Sequence, residues 1–368
     1  MVRRWRWLVV LAGVGVLVAM PSLVGLLPGR AAAAPATELL TRISRSARTP
    51  HSGFASATGG LALPVTGQLE SIAQLLGGST RMRVWWRSPA DWRVDSITAT
   101  GETGQRRTST GVWTWDYEDN RATVDRGAVD PVLRLPVAAD LLPSGLARRM
   151  LTDANSAEVA SLPSRRVAGR DTQGLRLRPA DRRSTIDHVD VWADAQSAIP
   201  LRVDVVGAQG GAPTMSSEFS EFSTAVPDDS VTSFSPPSSA RVRQRAASDL
   251  TSLLSRSVGV KPPVTLAGLP RNDGLRRDGI SGAYGRGVTE LVAVPLSGGQ
   301  AGGLRRQLST APGVAETPAG LSLSVGPLGL FLATEDDRGT AWLLTGTVNA
   351  ETMTAAADEL RHTPGGTS

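Results

Sequence analysis

Histidine, cysteine and paired acids are the residues most able to do chemistry, and this chain uses them sparsely. It has three histidines and no cysteine. His51 lies beside a loop, His188 in a strand-like run and His362 near the C-terminal end. The three do not form a ligand pair at helical or hairpin spacing, and metal sites usually need His or Cys clusters. No metal site and no cofactor is expected. A serine nucleophile needs a histidine poised beside it. Only His188 is placed to serve, and no serine sits in a G-x-S-x-G elbow. Without cysteine there is no thiolate chemistry, no disulfide and no lipoprotein cysteine after the first apolar run.

The acids admit two readings. Asp187, Asp190 and Asp194 are spaced as a cation site, but Asp194-Ala195-Gln196-Ser197 stands where a strand should turn. Aspartate favours turns by bonding its own backbone. Glu335-Asp336-Asp337 likewise occupies an expected hairpin tip. Two carboxylates can also hydrolyse glycosides, though no spacing in the chain marks a facing pair. Gly298-Gly299 and Gly302-Gly303 lack the Gly-Lys-Ser/Thr ending of a phosphate loop.

The tryptophans carry more information. Trp85, Trp86, Trp92, Trp113, Trp115 and Trp192 all fall in strand-like runs. They are either ordinary strand packing or the wall of a lipophilic cavity, where large rigid side chains line a concave face. On the second reading the candidate lining is Met82, Val84, Trp86, Trp92, Val94, Trp113, Trp115, Leu146 and Met150.

The elements that would position them are mostly strands. A helix opens at Thr37, with Leu39, Ile43 and Ala47 four apart. Strand patterns then cover 54–63, 81–87, 91–97, 111–117 and 121–125. In 81–87, Met82, Val84 and Trp86 alternate with Arg81, Arg83, Trp85 and Arg87, the period of a half-buried strand. Helical pieces interrupt at 68–76 and 144–154. Further strands are expected at 165–167, 174–177, 185–192, 201–206 and 215–222. Many strands joined by short turns imply one large, curved antiparallel sheet. Ser235-Pro236-Pro237-Ser238-Ser239, followed by Arg241, Arg243 and Arg245, reads as a linker or domain edge. Beyond it, helical patterns at 250–258 and 303–308, strands at 289–294, 321–325, 328–333 and 340–348, and a helix capped by Asn349 suggest a smaller α+β domain.

The first 34 residues read as an export signal. Arg3, Arg4 and Arg6 precede an apolar run from Trp7 to Leu27, and Ala31 to Ala34 follow. The run is near the ~20 residues a membrane span needs. It is therefore either a cleaved signal or a retained anchor, and both place the rest outside the cytoplasm. Four of the 39 basic residues lie in this segment with no acid, which leaves 35 basic against 34 acidic side chains. A balanced body offers no electrostatic case for nucleic acid.

Three stretches bring a family into view. They are Trp113-Thr114-Trp115-Asp116-Tyr117; Val189-Asp190-Val191-Trp192-Ala193-Asp194 with Ile199-Pro200-Leu201-Arg202-Val203; and Phe219-Ser220-Glu221-Phe222-Ser223 with Val226-Pro227. In order and spacing, residues 37–238 resemble the LolA-like/RseB-like lipoprotein-carrier superfamily. Leu344-Thr345-Gly346-Thr347-Val348 and the helix after it are similar to the small C-terminal domain of RseB-type sigma-factor regulators. The resemblance implies an α+β fold: a half-open antiparallel barrel with a helical lid, then a smaller α+β domain at 250–362 after a linker at 239–249. It implies a lipid or acyl-chain ligand, an anti-sigma factor or other membrane protein as partner, and no catalytic residues. The expected function is an extracytoplasmic lipid-binding regulator. A LolA-type carrier is the alternative within binding proteins, and an envelope hydrolase the alternative from another class.

Overall fold

The computed structural model describes residues 31, 34–59, 78–97, 101–126, 137–245, 263–272, 282–335 and 340–362. Residues 1–30 of the expected export segment, the helical pieces at 68–76 and 250–258, and Asp336-Asp337 lie outside these residues.

A 13-stranded sheet dominates. Its strands in chain order are β1 (His51–Gly59), β2 (Ser79–Ser88), β3 (Asp91–Ile97), β4 (Glu102–Thr108), β5 (Gly111–Asp116), β6 (Arg121–Asp125), β7 (Val159–Leu162), β8 (Arg166–Val167), β9 (Arg170–Leu177), β10 (Ile186–Asp194), β11 (Pro200–Gly207), β12 (Met215–Ser223) and β13 (Arg241–Arg245). They lie side by side as β13-β6-β5-β4-β3-β2-β1-β12-β11-β10-β9-β7, with β8 on β9. Every pairing is antiparallel except that of β13 with β6. The two ends do not meet, so the sheet is an open trough rather than a closed barrel.

Paired residues share a face, so the register assigns each side chain. His51, Ala55, Met82, Val84, Trp86, Trp92 and Val94 fall on one face of β1–β3. Phe219, Val203, Val205, Val189, Val191, Leu175 and Leu177 continue it across β12 to β9. This is the inner face. Helix α1 (Ala36–Arg45) lays Leu39 and Ile43 on it, and α2 (Pro143–Met150) adds Leu146 and Ala147. A 3-10 turn at Ala138–Leu141, followed by Leu142, covers the β1–β3 part. Burial of this size drives the fold, since each buried Leu, Val or Met contributes about 1.5–3 kcal/mol.

A segment from Ser223 to Arg241 crosses the opposite, outer face. It carries the short helix α3 (Asp229–Thr232), capped by the Asp228 side chain on Ser230 N–H. Arg87 Nη1 donates to the Pro227 carbonyl, and Phe234 packs over Trp113 and Trp115.

A second, six-stranded antiparallel sheet contains β16 (Gly282–Arg286), β17 (Thr289–Ser297), β18 (Val314–Thr317), β19 (Gly320–Val325), β20 (Leu328–Ala333) and β21 (Thr340–Gly346) in the order β16-β17-β21-β20-β19-β18. A small ladder of β14 (Thr265–Leu266) and β15 (Leu269–Pro270) precedes it. Helix α4 (Gly298–Leu308) covers one face and α5 (Ala350–His362) the other. Asn349 caps α5, its side-chain oxygen accepting from Thr352 N–H at 2.9 Å. The fold is thus the expected α+β arrangement of a large curved sheet and a smaller mixed unit.

Three local readings are corrected. The polar stretch Glu102–Thr108 is strand β4, which no apolar alternation announced. The helix expected at 144–154 ends at Met150. Of the two readings of the arginine run, linker is corrected and edge holds: it is strand β13 at the end of the sheet, paired in register with β6 from Arg241↔Arg121 to Arg245↔Asp125. Ladder bonds there overrode a composition that reads as loop.

Candidate functional site

The nine candidate lining residues divide into three groups. Met82, Val84, Trp86, Trp92 and Val94 form one buried cluster with Leu141, Leu142 and Phe219 on the inner face. Leu146 is buried and Met150 partly buried in the neighbouring inner cluster, against Val203 and Val205. Trp113 and Trp115 are not brought to either. They pair in register with Arg106 and Gly104, whose neighbours on β3 are Arg93 and Asp95, and so project from the outer face. There they pack with Ala122, Val124 and Phe234. Alternation alone could not reveal this. Each strand's period was legible, but which of its two faces is inner depends on register across five strands.

The inner cluster is rich in stacked rings. Trp86 and Trp92 lie parallel at 5.9 Å, His51 stacks on Trp86 at 6.0 Å, and the Arg148 guanidinium from α2 sits 5.5 Å from the Trp86 ring. Phe219 and Phe222 close on His51 at 6.1 and 6.0 Å. Trp86 Nε1 donates to the Ala47 carbonyl at 2.9 Å, which satisfies its polar handle.

His51 sits in strand β1 at the centre of these rings, not beside a loop. It is 1% exposed. Burial pushes its imidazole down to about 4, the Thr49 carbonyl pulls weakly upward and Arg148 lowers it further. The ring is therefore neutral at pH 7. Its Nδ1 lies 3.0 Å from the Thr49 carbonyl oxygen and so carries the proton, which leaves Nε2 as a bare acceptor. That atom, and Oε1 of Gln105 farther along the same face, have no hydrogen-bond partner among the described residues. Buried polar atoms of native proteins nearly always find one. Both acceptors lie on the apolar inner face whose β1–β3 part Ala138–Leu142 covers. No signal in the sequence distinguished these two from ordinary polar residues.

The acids resolve as structural pairs. Arg170 bonds Asp194 at 2.9 Å, Arg176 bonds Asp190 at 2.6 Å and Arg178 lies 3.7 Å from Asp187, a ladder across β9 and β10. Asp194 also accepts from Ser197 N–H and Oγ at 2.8 and 2.7 Å, the turn role expected of it. His188 is tied to Asp187 at 2.5 Å. No group of three metal-ligating side chains occurs among the described residues.

Where the two sheets meet there is a cavity of about 230 Å³, lined by Glu158, Asp181, Arg183, Arg286, Leu177 and Leu269 among others. Arg286 forks onto Glu158 at 2.8 and 2.9 Å, and Arg183 pairs with Asp181 at 2.7 Å while donating to the Ala267 carbonyl at 3.1 Å. Thr185 N–H bonds the Thr347 carbonyl at 2.9 Å. The charges here join the units to one another.

Comparison with known proteins follows the fold. Among solved structures, the complex of MucA and MucB from Pseudomonas aeruginosa is 17% identical, covering 88% of this chain and 97% of that one, with a TM-score of 0.48. A LolA superfamily protein from Nitrosomonas europaea is 14% identical, covering 55% and 99%, with a TM-score of 0.24. No curated protein matches the chain. The MucB/RseB and LolA-type families are binding and regulatory proteins rather than enzymes. Residues 112–231 match the family model of the MucB/RseB N-terminal domain, and the likeness to the RseB-like/LolA-like superfamily stands on that segment.

Proposed function

We propose that this chain is an extracytoplasmic binding protein of the cell envelope. It holds a lipid or acyl chain against the inner face of the large sheet and acts, in the manner of RseB-type regulators, through an anti-sigma factor or another membrane protein. One observation carries the ligand part: the buried cluster of Met82, Val84, Trp86, Trp92 and Val94, bordered by acceptors of His51 and Gln105 that have no hydrogen-bond partner among the described residues. The match of residues 112–231 to the MucB/RseB N-terminal domain supports the regulatory part. The solved complexes of MucB with MucA name the kind of partner to look for. Residues 1–34 would export the chain, and anchor it to the membrane if they are retained.

The second sheet separates regulator from carrier. Deleting residues 245–368 should abolish capture of a membrane-protein partner in a pull-down from the protein's own envelope. Retention of every partner by the truncated chain would favour the LolA-type carrier instead.

A further inference from the structure

Strand β13 ends the large sheet, and among the described residues no strand lies beyond it. It runs parallel to β6, and Arg241 N–H donates to the Asn120 carbonyl at 3.0 Å. In a parallel ladder both backbone groups of one residue face one neighbour, and successive residues alternate sides. Arg241, Arg243 and Arg245 therefore direct their backbone groups at β6. Val242 and Gln244 turn theirs outward. The edge is open to solvent: Val242 is 52% exposed, and Arg241, Arg243 and Gln244 are exposed with it. Arg243 stands beside Thr123 and has no carboxylate within ion-pair distance among the described residues.

We propose that this edge accepts an extended, acidic segment of a partner polypeptide as an additional strand. Unpaired N–H and C=O groups on an edge are a template for another chain. Side chains alternate along a strand, so acids at every second position of the incoming segment meet Arg243 and, beside it on the same face, Arg241, whose Nη2 also donates to the Asp119 carbonyl at 2.8 Å. Its apolar residues then lie beside Val242 on the other. A second copy of the same strand is a poor occupant, because arginine would face arginine, and like charges directly opposite are destabilising. The proposal needs no lipid, and the contact is additional to the one assigned to the second sheet, so the truncation of residues 245–368 is read in the Arg243→Glu background, where this edge is disabled.

The test is fluorescence anisotropy of the intact protein with a labelled, end-blocked heptapeptide alternating glutamate and valine. A second peptide has lysine in place of glutamate. Val242→Pro removes one outward N–H while leaving the bonds to β6, and proline is tolerated on an edge strand in that orientation. Arg243→Glu reverses one charge on an exposed side chain and keeps the test available if proline disturbs the strand. The glutamate peptide should bind and the lysine peptide should not. Each variant should weaken binding roughly tenfold or more, with near-ultraviolet circular dichroism unchanged. Equal binding of both peptides, no binding, or affinity indifferent to both variants overturns the proposal. Sedimentation showing a wild-type dimer that Val242→Pro dissolves also overturns it, by giving the edge to a second copy.

Discussion

At the scale of single residues, two side chains show how burial and pairing set the molecule's chemistry. Met82 is fully buried at the middle of the inner cluster. Met82→Ala removes its contacts without disturbing the ladder, and should cost about 2–5 kcal/mol in urea unfolding. A loss below that range would mean that the cluster collapses into the space. Asp194 is 1% exposed. Burial raises its carboxyl, but Arg170 and the two Ser197 donors outweigh that and hold it below the usual carboxylate range. A depressed carboxyl contributes stability above its unfolded pKa of about 4 and loses it as pH falls through the folded value. Asp194→Asn should therefore lower the melting temperature at pH 7 and remove part of the chain's acid sensitivity below pH ~4. Melting curves that shift equally at both pH values would contradict this.

Among the elements, the legibility of the sequence depended on contrast. Strand β2 was plain because Met82, Val84 and Trp86 alternate with arginines. Strand β4 was not, because Gln105 on the inner face and Arg106 on the outer are both polar and both buried. Arg106 stays buried by lying over the Phe234 ring at 4.7 Å, a contact between residues 128 positions apart that no local pattern encodes. The same limit misplaced Trp113 and Trp115 among the cavity candidates: their strand was right and their face depended on register. Helix α4 shows tertiary contacts overriding propensity, since four of its eleven residues are glycine. A Cβ at Gly299 or Gly303 would meet nothing within 4 Å. Gly299→Ala and Gly303→Ala should each stabilise the chain by about 0.5–1 kcal/mol, measured by chemical denaturation. No gain from either would show that α4 needs its glycines for something other than folding.

For the whole molecule, the junction between the sheets decides whether binding on the first is felt by the second. Its best-defined charged contact is Arg286 on Glu158. Burial raises the Glu158 carboxyl, while Arg286 and the N–H groups of Ala180 and Asn155 more than reverse it. The pair is partly exposed, so its worth is small, about 0–1 kcal/mol, and falls with salt. Arg286→Glu should increase hydrogen exchange in Thr152–Glu158 and Gly285–Thr289 while leaving β1–β3 unchanged. Unchanged exchange in both segments would show that this ion pair does not hold the junction. Coupling of the two sheets matters only if the inner face holds a ligand, and native mass spectrometry of protein purified from its own envelope tests that most directly. A bound lipid mass in the wild-type protein, lost or much reduced in a folded Trp86→Ser variant, is the expected result. Bare protein mass alone, or a lipid retained undiminished by the Trp86→Ser variant, would contradict the account.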